Sequence, residues 1–551
     1  MSLGNRLVLP VILSFFAVLA GCGGSSSNPT VTPPPSGSFS DSNLSGTYVF
    51  SVTGTDVNNN FVTMMGTFTA DGKGNISSGV IDVNGTGGSL LGAGITSGSY
   101  SVGTDGRPTG SPSLPTGLMT LHSGANVFTF DFVLTSSEHG LMTEFDSNGS
   151  GSGTLDVQSN VTQANISGQS YAFNLTGANS ISTVLCGVAM GTPVVTPFST
   201  VGAFTLDANG NISTGVADFN NNCVSSGSTN VSVTGGSVTL GSGTTFGKAA
   251  ITTASAVTFS FDVLAIDSTH LKFIETDPQP TLVGDVFTRV SSIPTGNNVF
   301  SLAGFDSSVQ GPFTAAGLIV TDGSGNITSG SVEDINDVGA ASVKTGFTGS
   351  YAALAGGRSE FTLSGFVNGN NGAACSGCLF AVYPSSGGLQ MLEIDDGGMT
   401  NGIAYTQHAT TFASGAGYGM NLSGATSSGP EEDDIAEFTN NSGSFRGIID
   451  FNDQGSLSFK NSYSGNYAAD TSVPGRGTVA NSKNGPLLTT YVIDSSTSVA
   501  VSTDPNMVGL GALVSQNSSA KSNVVANHLA VLRATPSSRM KWAKKKSAAT
   551  R

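Results

Sequence analysis

The sequence predicts an all-β protein built as four tandem antiparallel eight-stranded barrel-like domains, with β-sandwich domains as the alternative, and three observations lead there. First, the stretch Asp71-Gly72-Lys73-Gly74-Asn75-Ile76-Ser77-Ser78-Gly79-Val80-Ile81-Asp82-Val83-Asn84 returns three times. A close copy runs from Asp207 to Asn220, a third from Asp322 to Gly330, and a worn fourth from Asn440 through Gly443 and Gly447 to Asp450 and Asn452. Such self-similarity marks a repeat architecture. Second, 75 of the 551 residues are glycine and only 10% are charged, so turn residues crowd out long helices. Third, large apolar side chains fall at alternate positions, as in Phe128, Phe130 and Phe132 and again in Phe259, Phe261 and Val263. That is the period of a strand with one buried face.

Taken in order, the chain begins with an export signal. After Arg6 the run from Leu7 to Leu19 is apolar except for Pro10 and Ser14, which is too short to cross a bilayer about 30 Å thick as a helix. It is followed by Leu19-Ala20-Gly21-Cys22, which resembles the lipobox of bacterial lipoproteins. The resemblance implies cleavage before Cys22 and acylation of its thiol. Residues 1–21 are therefore read as a signal peptide and 22–41 as a tether, since this Gly/Ser/Pro/Thr stretch has too little apolar surface to fold. Gly23 and Gly24 are not the Asp that retains lipoproteins at the inner membrane in enteric-type sorting. The expected location is the cell envelope, lipid-anchored, at the outer membrane or cell surface.

Each repeat opens on an alternating strand closed by glycine: Tyr48 to Gly54, Phe173 to Gly177, Phe300 to Gly304 and Met420 to Gly424. Each ends on Gly-x4-Gln or its variant, at Gly153/Gln158, Gly284/Arg289, Gly402/Gln407 and Gly511/Gln516. The units so bounded are 42–160, 161–292, 293–410 and 411–520, each of a common domain size. In the first unit strand-like runs lie near 46–54, 61–70, 76–84, 95–102, 117–122, 127–135, 140–146 and 153–158, separated by Gly and Asn turns that tolerate positive φ. Eight short antiparallel strands lose both sheet edges if they close into an up-and-down barrel. Gly46-x-Tyr48-x-Phe50 is similar to the first-strand Gly-x-Trp of lipocalin and avidin-like barrels, with tyrosine where those carry tryptophan.

One recurrent set of residues is a candidate for chemistry. A carboxylate pair occupies the seventh strand as Glu144/Asp146, Glu275/Asp277 and Glu393/Asp395, replaced in the fourth unit by Ser502 and Asp504. Positions i and i+2 share a face, so these side chains are expected to point inward. A basic residue recurs about two strands earlier, as Arg107, Lys248, Arg358 and Arg476. Pairing it with the Glu would form a structural clasp closing each barrel, cheaper than a lone buried charge. The functional alternative is a Glu/Asp pair acting as acid and base on a glycoside. His139 and His270 lie five residues before their Glu and fall on the opposite face, which disfavours a joint metal site. Asp71, Asp207 and Asp322 read as turn residues bonded to nearby amides rather than calcium ligands, because a calcium loop would supply more carboxylates. No metal or cofactor is expected.

Beyond Cys22, an even number of cysteines in an exported chain reads as disulfides, Cys186 with Cys223 and Cys375 with Cys378. The net charge of −16 disfavours nucleic acid as a partner of the body, and none is expected. The tail 521–551 reverses that charge, with Lys541, Lys544, Lys545 and Lys546 beside Trp542, the only tryptophan; it reads first as a solvated, disordered segment, with electrostatic contact to an anionic surface as the alternative. The expected function is a non-enzymatic envelope-anchored array for adhesion, binding or spacing, whose partners are the membrane through its lipid and a cell-surface polymer or protein. The alternatives are an envelope carbohydrate-active enzyme and barrels that capture a small ligand.

Overall fold

A computed structural model describes residues 39–516 except 111–115, 183–192, 222–228, 242–245, 307, 309–310, 369–371, 396–397 and 427–428. Cys22, Cys186, Cys223, the signal peptide, the tether up to residue 38 and the basic tail lie outside the described residues. The first unit comprises β1 (Ser45–Asp56), β2 (Phe61–Asp71), β3 (Asn75–Gly85), β4 (Gly88–Ile95), β5 (Ser97–Ser99), β6 (Met119–Ser123), β7 (Asn126–Leu134), β8 (His139–Glu144) and β9 (Gly149–Val157). The second holds β10 (Ser170–Ser182), β11 (Pro193–Leu206), β12 (Ile212–Asn220), β13 (Val231–Leu240), β14 (Phe246–Thr253), β15 (Thr258–Asp267), β16 (His270–Glu275) and β17 (Thr281–Thr288). The third holds β18 (Gly296–Asp306), β19 (Gly311–Thr321), β20 (Asn326–Asp337), β21 (Ala340–Ala353), β22 (Ser359–Ser364), β23 (Cys378–Ser385), β24 (Gly388–Glu393) and β25 (Gly398–Thr406). The fourth holds β26 (Gly417–Thr426), β27 (Glu431–Asn441), β28 (Ser444–Asp453), β29 (Ser456–Ala469), β30 (Arg476–Lys483), β31 (Leu488–Val492), β32 (Thr497–Ser502) and β33 (Met507–Ser515).

Each unit is a closed, antiparallel, up-and-down barrel, which excludes the sandwich alternative. In the first, β4 and β5 pair in turn with the same edge of β3 and together form the fourth stave. The interiors are filled: Tyr48, Phe50, Phe68, Phe130, Phe132 and Met142 form the core of barrel 1, and Phe173, Phe204, Phe261 and Phe273 lie in that of barrel 2. Barrels 3 and 4 hold equivalent clusters around Phe300, Phe361 and Phe380 and around Met420, Phe438 and Tyr463. One recurrent glycine is required by this packing. A Cβ at Gly66, Gly202 or Gly317 would meet the ring of the cross-strand Phe50, Phe173 or Phe300 at 2.8, 2.4 and 2.5 Å. In barrel 4 the slimmer Met420 faces Ala436 at the same place.

The outer surfaces explain why the strands read as more than half buried. Every residue of β1 from Tyr48 to Thr55 is buried, whereas β4 is largely exposed. The first three strands of each unit are covered outside by the next barrel. Val49 and Met65 of barrel 1 pack on Leu264, Ile266 and Ile274 of barrel 2. Val201 and Ala203 of barrel 2 pack with Tyr383 and Leu392 of barrel 3. One further apolar cluster joins Leu318 of barrel 3 to Val499 and Leu510 of barrel 4, and Ile435 of barrel 4 to Val133 and Leu141 of barrel 1. The contact thus runs 1 to 2, 2 to 3, 3 to 4 and 4 back to 1. A heterologous contact that repeats and closes in this way makes a ring with pseudo-fourfold cyclic symmetry. No helix among the described residues is long and apolar enough to cross a membrane.

Candidate functional site

The polar residues that recur in all four units converge on the four seams of the ring. The third strand of each unit ends on Asp-x-Asn: Asp82/Asn84, Asp218/Asn220, Asp334/Asn336 and Asp450/Asn452. The two side chains share the outward face because they are two residues apart. Asn84 Nδ2 donates to the carbonyl of Glu275 at 2.6 Å, and Asn220 to those of Glu393 and Gly398 at 2.9 and 3.1 Å. Asn336 reaches the carbonyls of Ser502, Asp504 and Met507 at 3.0, 3.1 and 3.0 Å. Asn452 closes the circle on Glu144 and Gly149 at 2.7 and 2.8 Å. In every case the acceptors lie where the seventh strand of the next barrel turns into its eighth.

The neighbouring Asp is held twice. Within its own barrel it accepts the amide of a residue at positive φ in or beside the fourth strand, namely Gly92, Asn230, Lys344 or Lys460. Across the seam it meets the recurrent basic residue. Arg358 bonds Asp218 through Nε and Nη2 at 2.9 and 3.1 Å, and Arg476 bonds Asp334 through the same fork at 2.8 and 2.7 Å. Arg107 contacts Asp450 and, at 3.4 Å, Asp131 of its own barrel. Lys248 pairs with Asp262, which faces Asp82. These geometries correct the expected clasp: Arg107, Lys248, Arg358 and Arg476 do not pair with Glu144, Glu275 or Glu393 within a barrel. Arg107, Arg358 and Arg476 join barrel to barrel, while Lys248 pairs with Asp262 of its own barrel, which faces Asp82 across the seam. The fork geometry suits the bidentate carboxylate bond, and the flanking carboxylates hold the guanidinium of Arg358 above its ordinary pKa against the opposing effect of burial.

The terminal Gln of each repeat serves the same purpose. Gln158, Gln407 and Gln516 donate to the carbonyls of Ala265 (3.0 Å), Val492 (2.8 Å) and Leu134 (3.2 Å), each in the following barrel. In unit two Arg289 takes over, donating to the carbonyl of Gly356 at 3.1 Å.

The Glu side chains do point inward, on the face of Met142, Phe273 and Met391, and are buried. Desolvation raises Glu144 and Glu393 well above the ordinary carboxylate range and Glu275 to about 10, in each case with the following Asp adding to it. Glu393 is bonded by Thr400 at 3.0 Å and Asn368 at 2.8 Å. The following Asp caps a turn or a strand end: Asp146 accepts the amide of Asn148 at 2.8 Å, Asp277 that of Ser260 at 2.8 Å and Asp395 that of Leu379 at 2.6 Å. In unit four the Ser502 hydroxyl accepts the amide of Asp504 at 3.2 Å, and Asp504 accepts that of Asn506 at 2.9 Å.

His139 and His270, which the sequence places at separate turns, are brought by the ring to one seam. His139 Nδ1 lies 2.7 Å from Asp156, and His270 Nε2 lies 2.6 Å from Asp285, which Lys272 also contacts at 2.9 Å. His270 and Lys272 help to hold Asp156 across the seam below the ordinary carboxylate range, with His139 contributing most against the cost of burial. Asp71, Asp207 and Asp322 each accept two amides of their own turn and the side-chain amide of Asn75, Asn211 or Asn326. Cys375 and Cys378 are joined by a disulfide. Among the described residues no three His, Cys, Asp or Glu are grouped to hold a metal ion.

The residues missed in the sequence are the Asp-x-Asn pairs. The signal was present, since both members recur at fixed places behind the glycine turn, but nothing local marks them as contacts to another domain. Neither a protein-family model nor a curated protein matches the chain. Among solved structures, a double mutant of the vaccine antigen Transferrin Binding Protein B (TbpB) from Haemophilus parasuis Hp5 is similar over 70% of this chain and 81% of that one. The identity is 9% and the TM-score 0.15, so no residue or role is carried from one to the other.

Proposed function

We propose that the chain is a non-enzymatic, envelope-anchored platform that binds a cell-surface polymer or protein through four equivalent faces of a closed ring. The observation that carries this reading is the use made of the recurrent charged and amide side chains. Asp82, Asp218, Asp334 and Asp450, with their Asn partners and the basic residues, are consumed in joining barrels. Cyclic symmetry sets the turns at Asp71, Asp207 and Asp322, the worn copy at Asn440 and their neighbouring loops on one side of the ring. Several weak sites held at fixed spacing raise effective concentration for a repetitive ligand.

Two alternatives are weaker on specific grounds. Acid and base catalysis on a glycoside needs two carboxyls facing the substrate, whereas Asp277 and Asp395 are bonded to strand amides and Glu275 is fully buried. Capture of a small molecule needs a cavity, whereas phenylalanines occupy the barrel interiors.

The test has two arms. The full chain, immobilised, is challenged with envelope polysaccharides and surface proteins, and each binder is assayed for cleavage. Retention that grows steeply with ligand valency, without turnover, is expected. Turnover abolished by Glu275→Gln replaces the proposal with hydrolysis. Anchoring is checked separately by metabolic labelling with palmitate, which Cys22→Ala should eliminate.

A further inference from the structure

The four seams are built to one plan but neutralise charge in two ways. Between barrels 2 and 3 and between 3 and 4, one buried Asp meets a forked Arg and a tyrosine hydroxyl: Tyr383 donates to Asp218 and Tyr491 to Asp334, both at 2.5 Å. A second acid, Glu360 or Asp470, satisfies the remaining guanidinium nitrogen at 3.1 and 2.9 Å. The two seams of barrel 1 lack the tyrosine. Val133 and Leu264 stand at its place, and two residues earlier Asp131 and Asp262 replace Ala381 and Thr489. Each of these seams therefore sets two fully buried carboxylates face to face, Asp131 with Asp450 and Asp82 with Asp262.

A single cation serves each pair, and serves it poorly. Lys248 is 68% exposed, and Arg107 reaches both acids through one nitrogen while its Nε and Nη1 meet no partner among the described residues. Asp82 Oδ2 likewise has no donor among them. Two carboxylates in contact cannot both ionise cheaply, so one proton must sit between them.

We propose that barrel 1 is the proton-gated member of the ring, docked on both sides while each facing pair of aspartates shares a proton and released as that proton leaves. The other groups facing these pairs do not cancel the effect. At the seam from barrel 4 to barrel 1 these are Asp105 and Glu437, both acidic, and Lys460, whose Nζ bonds the carbonyl of Gly110. Farther along the same seam Asp433 lies against Ser150 and Ser152, near Glu431, Glu144 and Asp56. At the seam from 1 to 2, Lys248 faces the pair, and His139, Asp156, His270, Lys272 and Asp285 form the separate cluster already described.

The sign follows from the direction of the shifts. Burial, then the facing acid, raises Asp82 to about 6, and burial raises Asp433 to about 6 and Glu437 to about 8. A raised carboxyl favours docking below its free value near 4, and that contribution is lost as pH rises through the docked value. For Asp82 alone the two-unit difference corresponds to about a 100-fold change in the docking equilibrium.

Hydrogen exchange of the full chain between pH 4.5 and 8 tests this, with the seams of Tyr383 and Tyr491 as internal references against the intrinsic pH dependence of exchange. Over that range protection of β3 and β15–β16 should fall about 25-fold relative to the reference seams, and that of β28 and β7–β8 should fall in the same direction. Asp131→Asn combined with Asp262→Asn should shrink that difference at both seams, leaving what burial of Asp82, Asp433 and Glu437 contributes. Should this variant fail to fold, the tyrosine solution can be transplanted instead, as Asp131→Ala with Val133→Tyr and Asp262→Ala with Leu264→Tyr. Four seams losing protection in parallel, or either variant keeping the wild-type fall, would overturn the proposal.

Discussion

Replacing Asn452 by alanine tests whether the ring is closed, because its partners lie some three hundred residues earlier in the chain. The side chain is fully buried and its Nδ2 serves two carbonyls, those of Glu144 at 2.7 Å and Gly149 at 2.8 Å. Alanine leaves both acceptors buried in the seam, at about 1 to 2 kcal/mol each, so the seam should weaken by roughly 2 to 4 kcal/mol. In opening equilibrium that is a factor of about 30 to 900. The bond from Ser150 Oγ to the Asn452 carbonyl, 2.9 Å, uses the backbone and survives. Native-state hydrogen exchange read by mass spectrometry follows the effect peptide by peptide. The expected result is faster exchange in β8 and β9 of barrel 1, caused by a change in barrel 4. Asn75→Ala, which removes an exposed 2.8 Å bond within one turn, should change exchange only locally. Acceleration confined to barrel 4, with residues 139–157 unaffected, would refute closure.

Three further outcomes are expected. Glu275→Gln should gain about 3 kcal/mol at pH 7 relative to pH 4, because the raised native carboxyl gives stability below its free value near 4 that is lost as pH rises toward about 10; urea titrations at both pH values check this. Gly317→Ala should cost about 1 to 3 kcal/mol by overpacking against the Val332 carbonyl and the Phe300 ring, and Phe300→Met should recover the share due to the ring, as the Met420/Ala436 pair of barrel 4 implies, in a double-mutant cycle of melting temperatures. Deleting residues 411–520 should leave Asp334 and Asn336 exposed at one end and Arg107 at the other, so light scattering should detect end-to-end association that the intact ring does not show.

What the sequence reveals and what it hides divide along the covered surface. Barrel closure is legible because the inner face of each strand keeps its period of two, as in Phe128, Phe130 and Phe132. The pattern puts the fourth strand too late, near 95–102, because β4 is exposed and carries Gly88, Gly92 and Gly94 with no apolar alternation to announce it. The outer face misleads more seriously. Arg107 and its equivalents point to Glu partners in their own barrel because that is the nearest opposite charge two strands away. The partners of the three arginines, Asp450, Asp218 and Asp334, lie in another copy of the repeat, while Lys248 pairs with Asp262 of its own copy, which faces Asp82. Periodicity within one unit reports which side of a strand a residue occupies. It does not report that a second domain covers that side.

The same distinction explains why four copies suffice. Each barrel carries one face built from its first three strands, bearing Asp and Asn, and a second built from its fifth to eighth strands and the segment before them, offering a basic residue and carbonyls. In an open row the first and last units would each leave one such face in water, exposing apolar side chains such as Ile435 at one end and Val133 and Leu141 at the other. Closure buries both faces at once, and only if the rotation per step brings the fourth copy back to the first. The chain therefore had to diverge where its ends meet. Arg107 shares two aspartates there instead of gripping one, and β27 carries Glu431, Asp433 and Glu437 where β2 of barrel 1 carries the uncharged Phe61, Thr63 and Thr67. The joint that no covalent linker spans is also heavily loaded with protonatable groups, so under the proposed proton gating it is the contact expected to respond most to pH.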